Sequence, residues 1–296
     1  MEPLAIIAAA TIPIAIVYSW RRKAPLSLTF AVAMLLTFIL GYVADQVSPT
    51  RGFAFIHDLA VYRTTLFHSG PVAYVTTIFL HAGLTHLLFN LLFLVFFGPL
   101  LEERIGSLRW GVLFLLGGIV ATLAFELIRF SLSIYLLLGA SGALSAIFGA
   151  FGRLYPRERI RLFIPLPLPP LPVIYYVIGF IVIEFLLAVT GTAAGIAWEA
   201  HVAGVAFGFA AAPLVMKIPS RVRAATPRDF QVLRPLVTRH ELDEIYGHLS
   251  REPMREVQDA WLEQFARKAA CPICAKPLAW DRGALRSECG WKMRLG

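Results

Sequence analysis

Two polar residues set inside long apolar stretches carry the chemistry of this chain. Ser141 stands in Gly139-Ala140-Ser141-Gly142, and His201 in Ala200-His201-Val202-Ala203-Gly204. A serine hydroxyl is a poor nucleophile until a base takes its proton, and a neutral imidazole suits that task near pH 7. The pair predicts acyl transfer, with Ser141 attacking and His201 acting first as general base, then as acid toward the leaving amine. Glu199 is the carboxylate close to His201 in sequence. The reading is a dyad, with a supporting Glu199 as the alternative. Acyl transfer also needs donors aimed at the developing oxyanion, each worth about 3 kcal/mol. His86 and Asn90, at i and i+4, share one helical face and are the donor candidates beside the backbone amide of Ser141. His81 falls about 140° from His86 on a continuous helix. That position suits a structural hydrogen-bonder, and His81 is kept as a secondary catalytic candidate.

Such groups need a scaffold, and the composition says what kind. The 296 residues are 58% hydrophobic and 16% charged, with a mean hydropathy of +0.69, which excludes an ordinary soluble globular domain. A span takes about 20 apolar residues, and seven segments qualify as candidates: 4–20, 27–45, 82–101, 108–128, 139–153, 172–190 and 198–217. Two of them are short. The fifth would rise only about 22 Å against a hydrocarbon core of about 30 Å, so Ser141 is expected below the surface, at the floor of a cavity.

The net charge of +8 follows membrane topology and implies no nucleic acid. Arg21, Arg22, Lys23, Arg104, Arg109, Arg153, Arg157, Arg159, Arg161, Lys217, Arg221 and Arg223 all fall on one side of the seven segments, which the positive-inside rule makes cytoplasmic. The N-terminus is then outside and the tail inside the cell, most simply at the cell membrane. Met1, Glu2 and Pro3 precede the first apolar run and its basic residues follow it, an order that suits a retained helix over a signal peptide. The third, fifth and seventh segments run in the same direction, so His86, Asn90, Ser141 and His201 share one layer. Intramembrane polar groups at one depth imply a shared, water-accessible site. Phe148, Gly149 and Gly152 fall on the face of Ser141, and Gly204, Gly208 and Ala212 on that of His201; small residues let membrane helices approach closely. Residues 46–80 read as an interfacial segment, and Pro165, Pro167, Pro169, Pro170 and Pro172 as a stiff extended linker. Glu126 and Glu184 are compatible with an ion path, but read more simply as bonds between neighbouring helices.

The tail holds Cys271, Cys274 and Cys289. Cys271-Pro272-Ile273-Cys274 followed by Cys289-Gly290-Trp291 resembles a zinc ribbon of two knuckles, with Arg286 where a fourth cysteine belongs. A structural zinc completed by Asp281, a histidine or water is one expectation, and a ribbon without metal the other. Helices are expected at 239–250 and 253–268, and the module is a candidate for recruiting a cytoplasmic partner.

The motifs together resemble the rhomboid family over residues 27–217. His81-Ala82-Gly83-Leu84-Thr85-His86-Leu87-Leu88-Phe89-Asn90, with Gly98, Glu102, Glu103, Arg104, Ile105 and Gly106, is similar to its second core helix. Gly139-Ala140-Ser141-Gly142 and Ala200-His201-Val202-Ala203-Gly204 are similar to its nucleophile motif and final catalytic helix. The resemblance implies an all-α polytopic membrane protein with a six-helix core, which cleaves single-pass transmembrane proteins in the lipid bilayer without a catalytic cofactor. It also implies Ser141 and His201 as the dyad and His86 with Asn90 as oxyanion stabilisers. The domain expectation is an extra N-terminal helix and basic loop over 1–26, a catalytic membrane domain over 27–217, a helical linker over 218–270 and the ribbon over 271–296. The chain departs from many bacterial members in lacking a Trp-Arg pair before His81, and in Ser145, where an aromatic residue often packs on the histidine. The competing functions are an inactive, client-binding member, which characteristically lacks the serine or the histidine, and a transporter.

Overall fold

Apolar side chains on all sides of a helix are stable where water is absent, and the long apolar runs fold accordingly. The computed structural model describes residues 2–64, 69–130, 134–160, 170–190, 195–219, 228–252, 255–281 and 283–295, divided between two units, Met1–Val222 and Arg223–Gly296. The first unit contains α1 (Pro3–Arg22), α2 (Leu26–Val47), α3 (Pro49–Leu59), β1 (Val61–Arg63), α4 (Ala73–Thr76), α5 (Leu84–Ile105), α6 (Ser107–Ile128), β2 (Tyr135–Leu137), α7 (Ser141–Leu154), β3 (Arg159–Ile160), β4 (Leu171–Pro172), α8 (Val173–Thr190) and α9 (Trp198–Val215). Six of these helices, α1, α2, α5, α6, α8 and α9, are long and apolar enough to cross a membrane. The chain is an all-α polytopic membrane protein.

Helix α7 differs from the six. Its 14 residues rise about 21 Å at 1.5 Å each, and every residue from Gly142 to Gly152 is buried. It is an interior rod, clasped by α9 through backbone contact. A Cβ on Gly208 would lie 1.8 Å from the Ala146 carbonyl oxygen, one on Gly149 2.1 Å from that of Val205, and one on Gly204 2.3 Å from that of Gly142. Gly117 of α6 likewise admits Ala146. Of the residues expected on the faces of Ser141 and His201, Gly149, Gly204 and Gly208 lie in this contact, whereas Gly152 packs on Val177 of α8 and Phe148 on the rings of Phe93, Phe97 and Phe180.

Buried polar groups brace the rest. Both oxygens of Glu102 on α5 accept from the backbone at the start of α2, Oε1 from Leu26 and Oε2 from Ser27 at 2.8 Å. A side chain from another helix thus satisfies donors that a helix start leaves open. Beside it, Gly98 lets Ser27 approach. Arg104 bonds the Glu158 carboxylate and covers the rings of Phe151 and Tyr155. By contrast α8 buries only Val173, Val177 and Glu184.

The connection before α4 holds α3, whose Phe55 and Leu59 pack against Ala5, Ala8 and Ala44 while Phe53 is 71% exposed. Strand β1 pairs antiparallel with β2 just ahead of Ser141. Strands β3 and β4 bring Arg159 and Ile160 against Pro172 and Leu171; Pro165, Pro167 and Pro169 of the expected linker, like Phe67, Arg161, Arg221 and Arg223, lie outside the described residues.

The second unit contains α10 (His240–Arg251), α11 (Arg255–Lys268) and an antiparallel sheet of β5 (Ala279–Asp281), β6 (Ala284–Arg286) and β7 (Lys292–Arg294) in that order. Helices and sheet share one core, in which Leu242, Ile245, Leu262 and Phe265 meet Cys271, Leu278 and Leu285. Trp280 adds a hydrogen bond from its indole N–H to Asp259 at 3.0 Å.

Candidate active site

Ser141 is the first residue of α7, and its position is set by the loop that delivers it. The backbone N–H of Gly139 donates to the Thr77 carbonyl at 3.0 Å, and the Thr77 hydroxyl donates to that of Leu137. Gly139 has φ +125°, and a Cβ there would lie 2.7 Å from the His86 ring. Only glycine meets both conditions. On the facing helix, His201 lies one turn inside α9, and the glycine contacts fix its distance from α7.

The result is a continuous hydrogen-bonded line. His201 Nε2 is 2.7 Å from Ser141 Oγ, and His201 Nδ1 is 2.8 Å from Glu184 Oε1. Ser141, His201, Glu184, His86, Asn90 and Phe180 all border one cavity of about 950 Å³. The Phe180 ring lies 6.1 Å from the His201 ring, centroid to centroid. Aromatic cover for the histidine therefore comes from α8, while Ser145 stays small because Gly204 packs on it.

The other sequence candidates are distributed around this line. Asn90 is buried and donates from Nδ2 to the His86 carbonyl at 2.8 Å, so it sits one turn below His86 on the cavity side. His81 does not line the cavity. Its ring meets His86 edge-on at 5.0 Å with both nitrogens shut off from solvent, a place behind the site.

Glu199, the alternative partner of His201, is turned away and bonds Arg129. Residues two apart on a helix point about 200° from one another, so nearness in sequence misleads here. Glu126 accepts from the hydroxyls of Tyr135, at 2.6 Å, and Tyr74. Burial and this carboxylate push the Tyr74 phenol up to about 12 and raise that of Tyr135, so both remain donors near neutral pH. Glu126 is thereby a bond between elements, as the sequence suggests. Glu184 is more: it reaches the imidazole that sequence reasoning pairs with Ser141 alone. A signal for it exists, since Glu184 is the one carboxylate of an otherwise apolar helix and stands at i+4 from Phe180.

In the second unit the Sγ atoms of Cys271, Cys274 and Cys289 all lie within 4.8 Å of one another, with Cys271 and Cys289 3.6 Å apart. Tetrahedral zinc at 2.3 Å from sulfur spaces its ligands by about 3.8 Å, so the three thiols fit three corners. Among the described residues no carboxylate or histidine joins them. Asp281, one of the candidates for a fourth ligand, pairs with Arg286 at 3.5 Å, and Ser287 Oγ lies 3.1 Å from Cys274 Sγ. Burial raises the Cys271 thiol, but hydrogen bonds from Ser287 and from the Cys274 and Ile273 amides outweigh it and bring the group down to about 6.

Comparison with known proteins bears on the membrane unit. A Rhomboid domain matches residues 68–218, just over half of the chain. RHOMBOID-like protein 1 of Arabidopsis thaliana is 42% identical over 76 residues, 25% of this chain and 18% of that protein. The rhomboid protease candidate YdcA of Bacillus subtilis (strain 168) is 38% identical over 77 residues, 26% of this chain and 38% of its own length. Rhomboid-like protein 11, chloroplastic, of Arabidopsis thaliana is 36% identical over 114 residues, 37% of this chain and 35% of its own. The chain thus spans less than two fifths of each of these relatives.

Proposed function

Because the chain belongs to the rhomboid family, we propose that it is a serine endopeptidase that cleaves transmembrane segments of single-pass membrane proteins inside the bilayer. The observation that carries this reading is the 2.7 Å separation of Ser141 Oγ and His201 Nε2 at a cavity of about 950 Å³, in a fold whose flanking helices are built for lipid. Ser141 attacks the scissile carbonyl and passes its proton to His201 Nε2, which returns it to the leaving amine. Water then releases the acyl group by the same route. The Ser141 amide, His86 and Asn90 line the cavity beside the nucleophile, where donors for the tetrahedral oxyanion belong. No cofactor enters the scheme. The placement of basic residues orients the site toward the outside and residues 218–296 toward the cytoplasm.

A fluorophosphonate probe tests this reading directly. The purified parent is expected to take one label at Ser141, and Ser141→Ala and His201→Ala to lose both label and cleavage of a transmembrane reporter while remaining folded. Cleavage that persists in Ser141→Ala overturns the serine mechanism, whereas a folded parent that neither labels nor cleaves leaves client binding as the favoured function.

The thiol cluster supports a second reading, confined to the tail: a structural zinc held by Cys271, Cys274 and Cys289, with water or the Ser287 hydroxyl at the fourth corner. Bound there, the metal would cross-link the two cysteine-bearing turns and add to the stability of a small sheet with little core of its own. Metal analysis of the full-length protein checks it. About one zinc per chain, lost in Cys271→Ser and Cys289→Ser, is expected; the same trace of metal in all three proteins overturns it.

A further inference from the structure

We infer that Glu184 is a positioning residue for His201, so that the site works as a Ser141–His201–Glu184 triad and not as a two-residue dyad; the inference rests on the serine-protease reading above. Three observations meet. First, Oε1 of Glu184 lies 2.8 Å from His201 Nδ1, on the side of the ring opposite Ser141. Second, Glu184 is 5% exposed and among the described residues its other oxygen, Oε2, has no partner. This costly intramembrane carboxylate therefore serves the imidazole alone. Third, α8 delivers both Phe180 and Glu184, one turn apart, to the same histidine.

An ionised Glu184 sets the tautomer of His201. A carboxylate has only lone pairs to offer, so Nδ1 must carry the proton and donate to Glu184. Nε2 is then left as the acceptor for the Ser141 hydroxyl. When Ser141 Oγ bonds the carbonyl carbon, its proton moves to Nε2, and the imidazolium lies between the new oxyanion and the Glu184 charge. The proton goes on to the amine nitrogen as the C–N bond breaks. Attack of water on the acyl group sends a proton back to Nε2 and from there to Ser141 Oγ. Glu184 keeps its charge throughout and touches no substrate atom, as expected of an orienting group.

The test compares the parent, Glu184→Gln, Glu184→Asp and Ser141→Ala, full-length and in detergent, with a fluorescent transmembrane reporter and a fluorophosphonate probe. Glutamine keeps the size but loses the charge, and its NH₂ group competes to donate to Nδ1 and favour the wrong tautomer. The expected result is a kcat about 10²- to 10⁴-fold lower with KM within about twofold of the parent, and labelling of Ser141 slowed in parallel. Glu184→Asp recovers part of that rate, because charge and acceptor survive on a shorter arm. A loss that falls on KM while kcat and labelling hold, or no loss at all, overturns the inference and leaves Glu184 as a bond between α8 and α9. Should Glu184→Gln fail to fold, Glu184→Asp decides alone: a lower kcat at unchanged KM supports the role, an unchanged kcat overturns it. Failure of the serine-protease reading looks different, since parent and Ser141→Ala would then cleave and label alike whatever stands at 184.

Discussion

Two neighbours of α9, the helices α7 and α8, are held in opposite ways. Against α7 it packs backbone to backbone, with Gly149, Gly204 and Gly208 each leaving no room for a methyl group. Against α8 it meets a helix that buries three residues in all, Val173, Val177 and Glu184, and whose Ile183, Phe185 and Leu186 are more than half exposed. The contrast separates two tasks. Nucleophile and base sit on the rigid pair, where a fixed 2.7 Å contact needs no adjustment. The carboxylate that meets the base rides on the helix with the least to hold it.

The comparison breaks most severely at Gly208. Gly208→Leu drives side-chain atoms into the Ala146 carbonyl, which is backbone and cannot move aside. It is expected to cost more than about 3 kcal/mol and to leave no monodisperse protein on gel filtration in detergent. A middling effect is expected at Gly139→Ala, where a positive φ and the His86 ring both oppose a Cβ. Displacing the entrance to α7 by an ångström should lower kcat by about 10²-fold with the circular dichroism spectrum unchanged. A Cβ at Gly179 on α8 meets nothing within 4 Å, and the unfolding free energy of Gly179→Leu should stay within about 0.5 kcal/mol of the parent. A large loss at Gly179 would mean that α8 is gripped as firmly as α7, and would end the contrast.

Much of this is legible in the amino-acid sequence because a membrane imposes simple rules. The long apolar runs mark the helices to within a few residues, and polar side chains are costly enough in lipid that Ser141, His201, His86 and Asn90 stand out against their surroundings. Small residues on the helical faces of Ser141 and His201 announce the contact that joins α7 to α9. What stays hidden is decided by which helix faces which. A lone Glu184 in an apolar run reads as a bond between helices or as part of an ion path, and the 17 residues that separate it from His201 carry no geometric code. Glu199, adjacent in sequence, points the other way. In the tail, three cysteines are visible at once, but the pairing of Asp281 with Arg286 and the approach of Ser287 to Cys274 depend on the strand register of β5 and β6.

The brevity of α7 also bears on how the protein is made. A run of 14 residues studded with glycine, alanine and serine is too short to hold itself across a bilayer, and when α7 leaves the ribosome only the α5 and α6 side of its seat has been made. The wall that receives it, α9, carries His201, 60 residues further along the chain. Nucleophile and base are therefore joined late in biogenesis, by the same helix-to-helix closure that gives α7 a place to be, and a chain cut short before α9 would lose its nucleophile's seat together with its base.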